Sequence, residues 1–133
     1  MGLWHRVRMA LGSVRRWFLS HQRKPRPWTI DATSSAYRIG NDVVIARADV
    51  AIIVAFKCDL MAIDQLCLGV AYEPPDADGN LPVEYFSEDD PWFAEVLRDL
   101  EQHFPLMPDW RGQVIYPAFA TNWTVIWERA QPT

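Results

Sequence analysis

The sequence predicts an α+β fold: a small, mostly antiparallel sheet with one packed helix at about residues 91–104, plus a separate amphipathic helix at about residues 3–19. Three observations carry this. From residue 28 onward, short β-branched segments recur between turn signals. One stretch after residue 90 has the three/four spacing of a helix face. The first 27 residues are amphipathic, basic and closed by two prolines.

In the opening segment, Leu3, Val7, Ala10, Leu11, Val14, Trp17 and Phe18 share one helical face, and His5, Arg8, Gly12, Arg15 and Arg16 lie on the other side. Gly12 weakens such a helix by about 1 kcal/mol relative to alanine. Pro25 and Pro27 cannot continue it, so residues 20–28 read as a connection and the chain divides into 1–27 and a single domain over 28–133.

In the domain, "WTIDATSSAYRIGNDVVIA" predicts two short strands around a turn at Gly40-Asn41-Asp42. "ADVAIIVAFKCD" predicts a central strand. "QLCLGVAYE" places Leu66, Leu68, Val70 and Tyr72 on one face and the small Cys67, Gly69 and Ala71 on the other, where the following helix is expected to pack. After the turn "PPDADGN" comes a strand "LPVEYF", with Pro82 at its start. Asp90 is expected as the N-cap of the next helix and Pro91 at its first position, with Phe93, Val96, Leu97, Leu100 and Phe104 as the apolar stripe. "QVIYPAF" reads as a loop-edge segment. "NWTVIWER" reads as the last strand, with Trp123, Val125 and Trp127 on one face.

Half of the 133 residues are hydrophobic and 13% aromatic, enough for a core and unlike a disordered chain. Residues 1–28 carry seven Lys/Arg and no carboxylate, a charge of +7; residues 29–133 carry the other six cations and all 17 carboxylates, a charge of −11, and the chain totals −4. An acidic domain argues against nucleic acid as its partner, because that binding rests on neutralising phosphates. No apolar run reaches the roughly 18–20 residues of a membrane span, and arginines interrupt the first helix where a signal peptide needs a continuous apolar stretch. Two cysteines, Cys58 and Cys67, do not make a disulfide scaffold, which predicts a reducing, cytoplasmic location.

No metal or cofactor is expected. His5, His21 and His103 lie far apart, and Cys58 and Cys67 are nine residues apart rather than in a zinc spacing. Glu88-Asp89-Asp90 is explained by capping and the helix dipole. No catalytic residue is assigned. Cys58 stands between Lys57 and Asp59, but in a strand adjacent side chains point to opposite faces. Lys57, Asp59 and Asp64 surround an expected turn, either as a surface ion pair worth about 0–1 kcal/mol or as the lining of a polar cleft. Trp92, Trp110, Trp123, Trp127, Tyr116 and Phe119 form either core or a partner-binding patch.

The stretch from about Val43 to Arg129 resembles small uncharacterised bacterial proteins, through "VAIIVAFKCDLMAIDQLCLGV", "SEDDPWFAEVLRDLEQHFP" and "PAFATNWTVIWER". The resemblance implies a compact bacterial α+β domain and no activity; the basic opening segment lies outside it.

The expectation is therefore a non-enzymatic interaction or regulatory module. Its candidate contacts are Trp4, Arg8, Arg15, Arg16, Trp17 and Phe18, on an anionic membrane surface at the inner face of the membrane or on a protein partner. The same helix could equally pack on its own acidic domain. The alternatives are an immunity-type inhibitor of a partner toxin, and a small enzyme with its site at Lys57, Asp59 and Asp64.

Overall fold

The computed structural model describes residues 26–60, 63–115 and 124–129, with side chains described for 26–57, 65–114 and 124–129. The helix expected at 3–19, with Trp4, Arg8, Arg15, Arg16, Trp17 and Phe18, lies outside the described residues, as do Tyr116, Phe119 and Trp123.

The fold is α+β with two antiparallel sheets. The first sheet has the order β1 (Trp28–Asp31), β2 (Ala36–Ile39), β3 (Val43–Ala46). This is one strand more than expected over 28–46, because the chain also reverses at residues 32–35. There Asp31 Oδ1 accepts from the Thr33 and Ser34 N–H groups, and Ser35 adopts a φ of 53°. The second reversal uses Gly40 at a φ of 60°, where glycine has no steric cost.

A 3-10 turn, Arg47–Asp49, leads into the second sheet, built from β4 (Val50–Leu60), β5 (Ile63–Tyr72), β6 (Val83–Ser87) and β7 (Thr124–Glu128) in the order β6-β5-β4-β7. β4 and β5 pair along almost their whole length, from Val50↔Tyr72 to Leu60↔Ile63. Every residue from Val50 to Lys57 is buried, on both faces of β4.

Helix α1 (Phe93–His103) and the short helix α2 (Trp110–Ile115) complete the order. α2 runs into the segment "QVIYPAF", read from sequence as a loop edge. The main core joins Trp28, Tyr37, Ile39 and Ile45 of the first sheet, Ile53, Leu68, Val70 and Phe86 of the second, and Phe93, Val96, Leu97, Leu100 and Phe104 of α1 and its end. The apolar stripe of α1 is thus buried as its spacing predicts.

Three details differ from expectation. α1 packs on the Leu66–Leu68–Val70 face of β5, so the small residues Cys67, Gly69 and Ala71 face the other way; bulky side chains, not small ones, fill the groove beneath α1. α1 begins at Phe93, since Asp90 to Phe93 form a turn closed by the Phe93 N–H to the Asp90 carbonyl (3.0 Å), and Pro91 sits within that turn. In β7, a bulge at Ile126 places Val125 opposite Val54 and Trp127 opposite Ile53, so these two residues join different cores instead of one face.

Candidate functional site

The strongest polar constellation forms where α1 meets the first sheet, and nothing in the linear sequence flagged it. β2 carries Tyr37 into the core with no exposed surface, the turn after β3 carries Arg47, and α1 carries Asp99 on its buried side. The Tyr37 hydroxyl donates to Asp99 Oδ2 at 2.5 Å. The Arg47 guanidinium donates to both carboxylate oxygens, Nη2 to Oδ1 at 2.7 Å and Nε to Oδ2 at 3.1 Å. Such a two-point bond between planar groups is the strongest form of this pair. Arg47 also lies 5.6 Å from the centre of the Tyr37 ring. One turn on, His103 Nδ1 lies 2.9 Å from the Asp99 carbonyl oxygen.

The chemistry of this cluster is set by opposed environments. Burial, reinforced by the bond to Asp99, pushes the Tyr37 phenol well above its ordinary range. Burial alone would raise the Asp99 carboxyl, but its bonds from Arg47 and Tyr37 outweigh that and hold it below the ordinary carboxylate range. The bond to Asp99 raises the Arg47 guanidinium further. A general acid or base works best with a pKa near the operating pH. Here both titrating groups have moved away from neutrality, so the cluster is suited to holding elements together rather than moving protons.

A second ion-pair group joins the two sheets at the start of the described chain. Arg26 Nη2 donates to Asp42 Oδ1 in the β2–β3 turn and Nη1 to Glu84 Oε1 on β6, each at 2.5 Å. Burial raises the Glu84 carboxyl, with Arg26 opposing and Asp42 adding to the rise. Because Glu84 has already lost hydration on folding and Arg26 is 43% exposed, this pair contributes little net stability. Glu84→Gln is expected to change the unfolding free energy by no more than about 1 kcal/mol; urea denaturation at neutral pH checks this, and a loss several times larger would show the pair to be a main tie between the sheets.

Glu88, Asp89 and Asp90, read from sequence as helix-capping charges, do a different job. Leu66 N–H donates to Glu88 Oε1 at 3.1 Å, the Gln65 amide donates to Asp89 Oδ2, and Ser87 N–H donates to Asp90 Oδ2 at 2.8 Å. The three carboxylates fasten the β6–α1 connection back onto β5, while the N-cap is Trp92, with no side-chain bond.

Lys57 is buried, 3% exposed. It stands opposite Leu66, and the register continues to Asp59 opposite Asp64, so the hairpin brings the three predicted positions to one end of the β4–β5 ladder. The side chains of Cys58, Asp59 and Asp64 lie outside the described residues. Of the aromatic set, Trp110 is buried, and Trp92 and Trp127 are half-buried against the main core, Trp127 edge-on to Phe104 at 4.7 Å. These three are core and rim. Val44 is the exposed large hydrophobic residue among the described ones.

Among the described residues no group of three His, Cys, Asp or Glu is placed to hold a metal ion, and no helix is long and apolar enough to cross a membrane. No family model, curated protein or solved structure matches the chain, so its geometry alone supports a functional reading.

Proposed function

We propose that this protein is a non-catalytic interaction module that presents a carboxylate-rich surface along α1 to a protein partner with a basic surface. One observation carries the reading: α1 is locked to the first sheet by Tyr37, Arg47 and Asp99 on its inner side, and exposes Glu95 and Glu101 on its outer side, with Glu88 and Asp89 exposed just before it. A helix held this rigidly loses little conformational freedom on binding, so more of the contact energy remains as affinity. Its charge favours a cationic partner and speeds encounter with it. An immunity-type inhibitor covering a basic toxin surface is one form of this reading.

The test is cross-linking of the full chain in the cells that make it, followed by binding measurements with the isolated partner. Glu95→Lys with Glu101→Lys is expected to weaken binding on the order of tenfold or more, and affinity should fall as salt rises from about 0.05 to about 0.3 M. Equal binding by the reversed variant removes the reading. Sedimentation of the full chain with anionic vesicles, lost when Arg8, Arg15 and Arg16 become Glu, would put peripheral membrane attachment in its place. The enzyme reading draws on a separate observation, the buried Lys57 beside the Asp59–Asp64 register pair. It requires that a folded Lys57→Gln variant lose the biological phenotype.

A further inference from the structure

The turn between β5 and β6 holds Asp78-Gly79, the one aspartyl-glycine pair in the sequence; asparaginyl-glycine does not occur. A glycine nitrogen has no neighbouring Cβ to obstruct its attack on the preceding side-chain carboxyl, so this dipeptide is the aspartyl pair most prone to close on itself. Both residues are exposed at the tip of the turn, where water reaches them. The Asp78 N–H donates to Asp76 Oδ1 at 3.0 Å, but the Asp78 carboxylate accepts no hydrogen bond among the described residues.

The other aspartates with described side chains are poorly placed for the same chemistry. Asp31, Asp42, Asp76, Asp89, Asp90 and Asp99 each have a carboxylate oxygen bonded to a backbone N–H, an amide, a guanidinium or a hydroxyl. Asp49 and Asp109 are followed by Val50 and Trp110, whose side chains crowd the attacking nitrogen. Around Asp78 the turn is clamped at its base. The Asp76 N–H donates to the Asn80 carbonyl at 2.8 Å, and the Asn80 N–H to Asp76 Oδ1 at 2.9 Å. Gly79, at a φ of 84°, donates its N–H to the Asp76 carbonyl at 3.0 Å.

We propose that Asp78 is a site of spontaneous isoaspartate formation, confined to the turn tip by the clamp between Asp76 and Asn80. The Gly79 nitrogen bonds to Asp78 Cγ, and the Gly79 N–H and Asp78 Cγ–OH bonds break, their H and OH leaving together as one water. The resulting five-membered imide then takes up one water. Addition at Cγ restores aspartate. Addition at the main-chain carbonyl carbon leaves the chain running through Cβ and Cγ, with the α-carboxylate pendant. No electrons change hands, and water is the only other participant. The product keeps the mass and charge of the parent, gains a carbon in the main chain and presents an α-carboxylate that repair methyltransferases accept. The added carbon falls between the clamped ends. The Asp78, Gly79 and Asn80 N–H groups are therefore expected to lose their bonds to Asp76, while Val83–Ser87 keeps its register with Cys67–Ala71.

The experiment ages the full chain for several weeks at neutral pH and body temperature. Fragmentation mass spectrometry locates isoaspartate, and methyl transfer by a purified isoaspartyl methyltransferase counts it. Residue 78 is expected to carry most of the total. Gly79→Ala is expected to slow formation several-fold, because a Cβ then stands beside the nitrogen. Alanine is strained at a positive φ, so Asp78→Glu, which keeps the charge and the glycine, is the second variant; its methyl acceptance is expected to fall to a small fraction of the parent's. A folded chain that ages without isoaspartate at residue 78, or that gains as much at Asp31 or Asp76, overturns the proposal. So does methyl acceptance undiminished in Asp78→Glu. Amide exchange on the aged chain tests the confinement: loss of protection along the β5–β6 ladder, beyond residues 76–80, overturns it.

Discussion

Replacing Asp99 by alanine is expected to lower the unfolding free energy by about 3–5 kcal/mol, the loss typical when one partner of a buried ion pair is removed. The residue left behind sets the size. The Arg47 side chain is 15% exposed and would lose both of its carboxylate bonds. Tyr37, with no exposed surface, would lose the acceptor of its hydroxyl. Asp99→Asn keeps the shape and one oxygen acceptor, so its cost should be smaller, about 1–3 kcal/mol. Urea denaturation at neutral pH measures both, and a loss below about 1 kcal/mol for the alanine variant would mean that water replaces the network on folding.

The same cluster predicts the shape of stability against pH. The Asp99 pKa is lower in the folded protein than in the unfolded chain, so its contribution is present above the unfolded carboxyl pKa and is lost as pH falls through the folded value. Tyr37 has the opposite sign. Its pKa is raised on folding, so its contribution is complete below about pH 10, the ordinary phenol value, and is lost as pH rises above it. Glu84 is also raised, so it acts against Asp99 in acid: its part is complete below the unfolded carboxyl pKa and fades as pH rises through the folded value. Melting curves across pH should therefore show a shallower acid limb in Asp99→Ala and a shallower alkaline limb in Tyr37→Phe. Identical limbs in the variants and the parent would remove this account.

The second large effect is expected at Phe86. It has no exposed surface, and its ring centre lies 4.8 Å from that of Trp28 and 5.6 Å from that of Phe93. It thus joins the first sheet, the second sheet and α1. Phe86→Ala is expected to cost about 3–5 kcal/mol, from lost transfer energy and the cavity left among residues that cannot all collapse inward. Tilted ring pairs add about 0.5–1.5 kcal/mol beyond area. As a control, Val44, 54% exposed, should change stability by less than about 0.5 kcal/mol on replacement by alanine. Comparable losses at the two positions would show that the core is not centred where the three elements meet.

Local chemistry determined the elements. The three/four spacing from Phe93 to Leu100 made α1 legible, because the periodicity of a helix is written in consecutive residues. The turn at Gly40 and the β-branched run at Val50–Phe56 were legible for the same reason. The class of the fold follows from these signals together. What residues far apart do to one another had no local signature. Tyr37, Arg47 and Asp99 are separated by up to 62 positions, and each is an ordinary surface-type residue until packing brings them together. The same holds for Lys57, whose burial depends on the packing around the β4–β5 ladder, not on its neighbours in the chain. The carboxylates before α1 were visible as a group, but only the return of β6 alongside β5 put a backbone N–H and an amide within their reach, so they fasten a connection where sequence suggested a cap. The alternation in β5 separated a bulky face from a small one correctly. Which face α1 would cover was decided by tertiary structure, because a helix settles where its side chains fill volume, and the large residues of Leu66, Leu68 and Val70 offered more of it to bury.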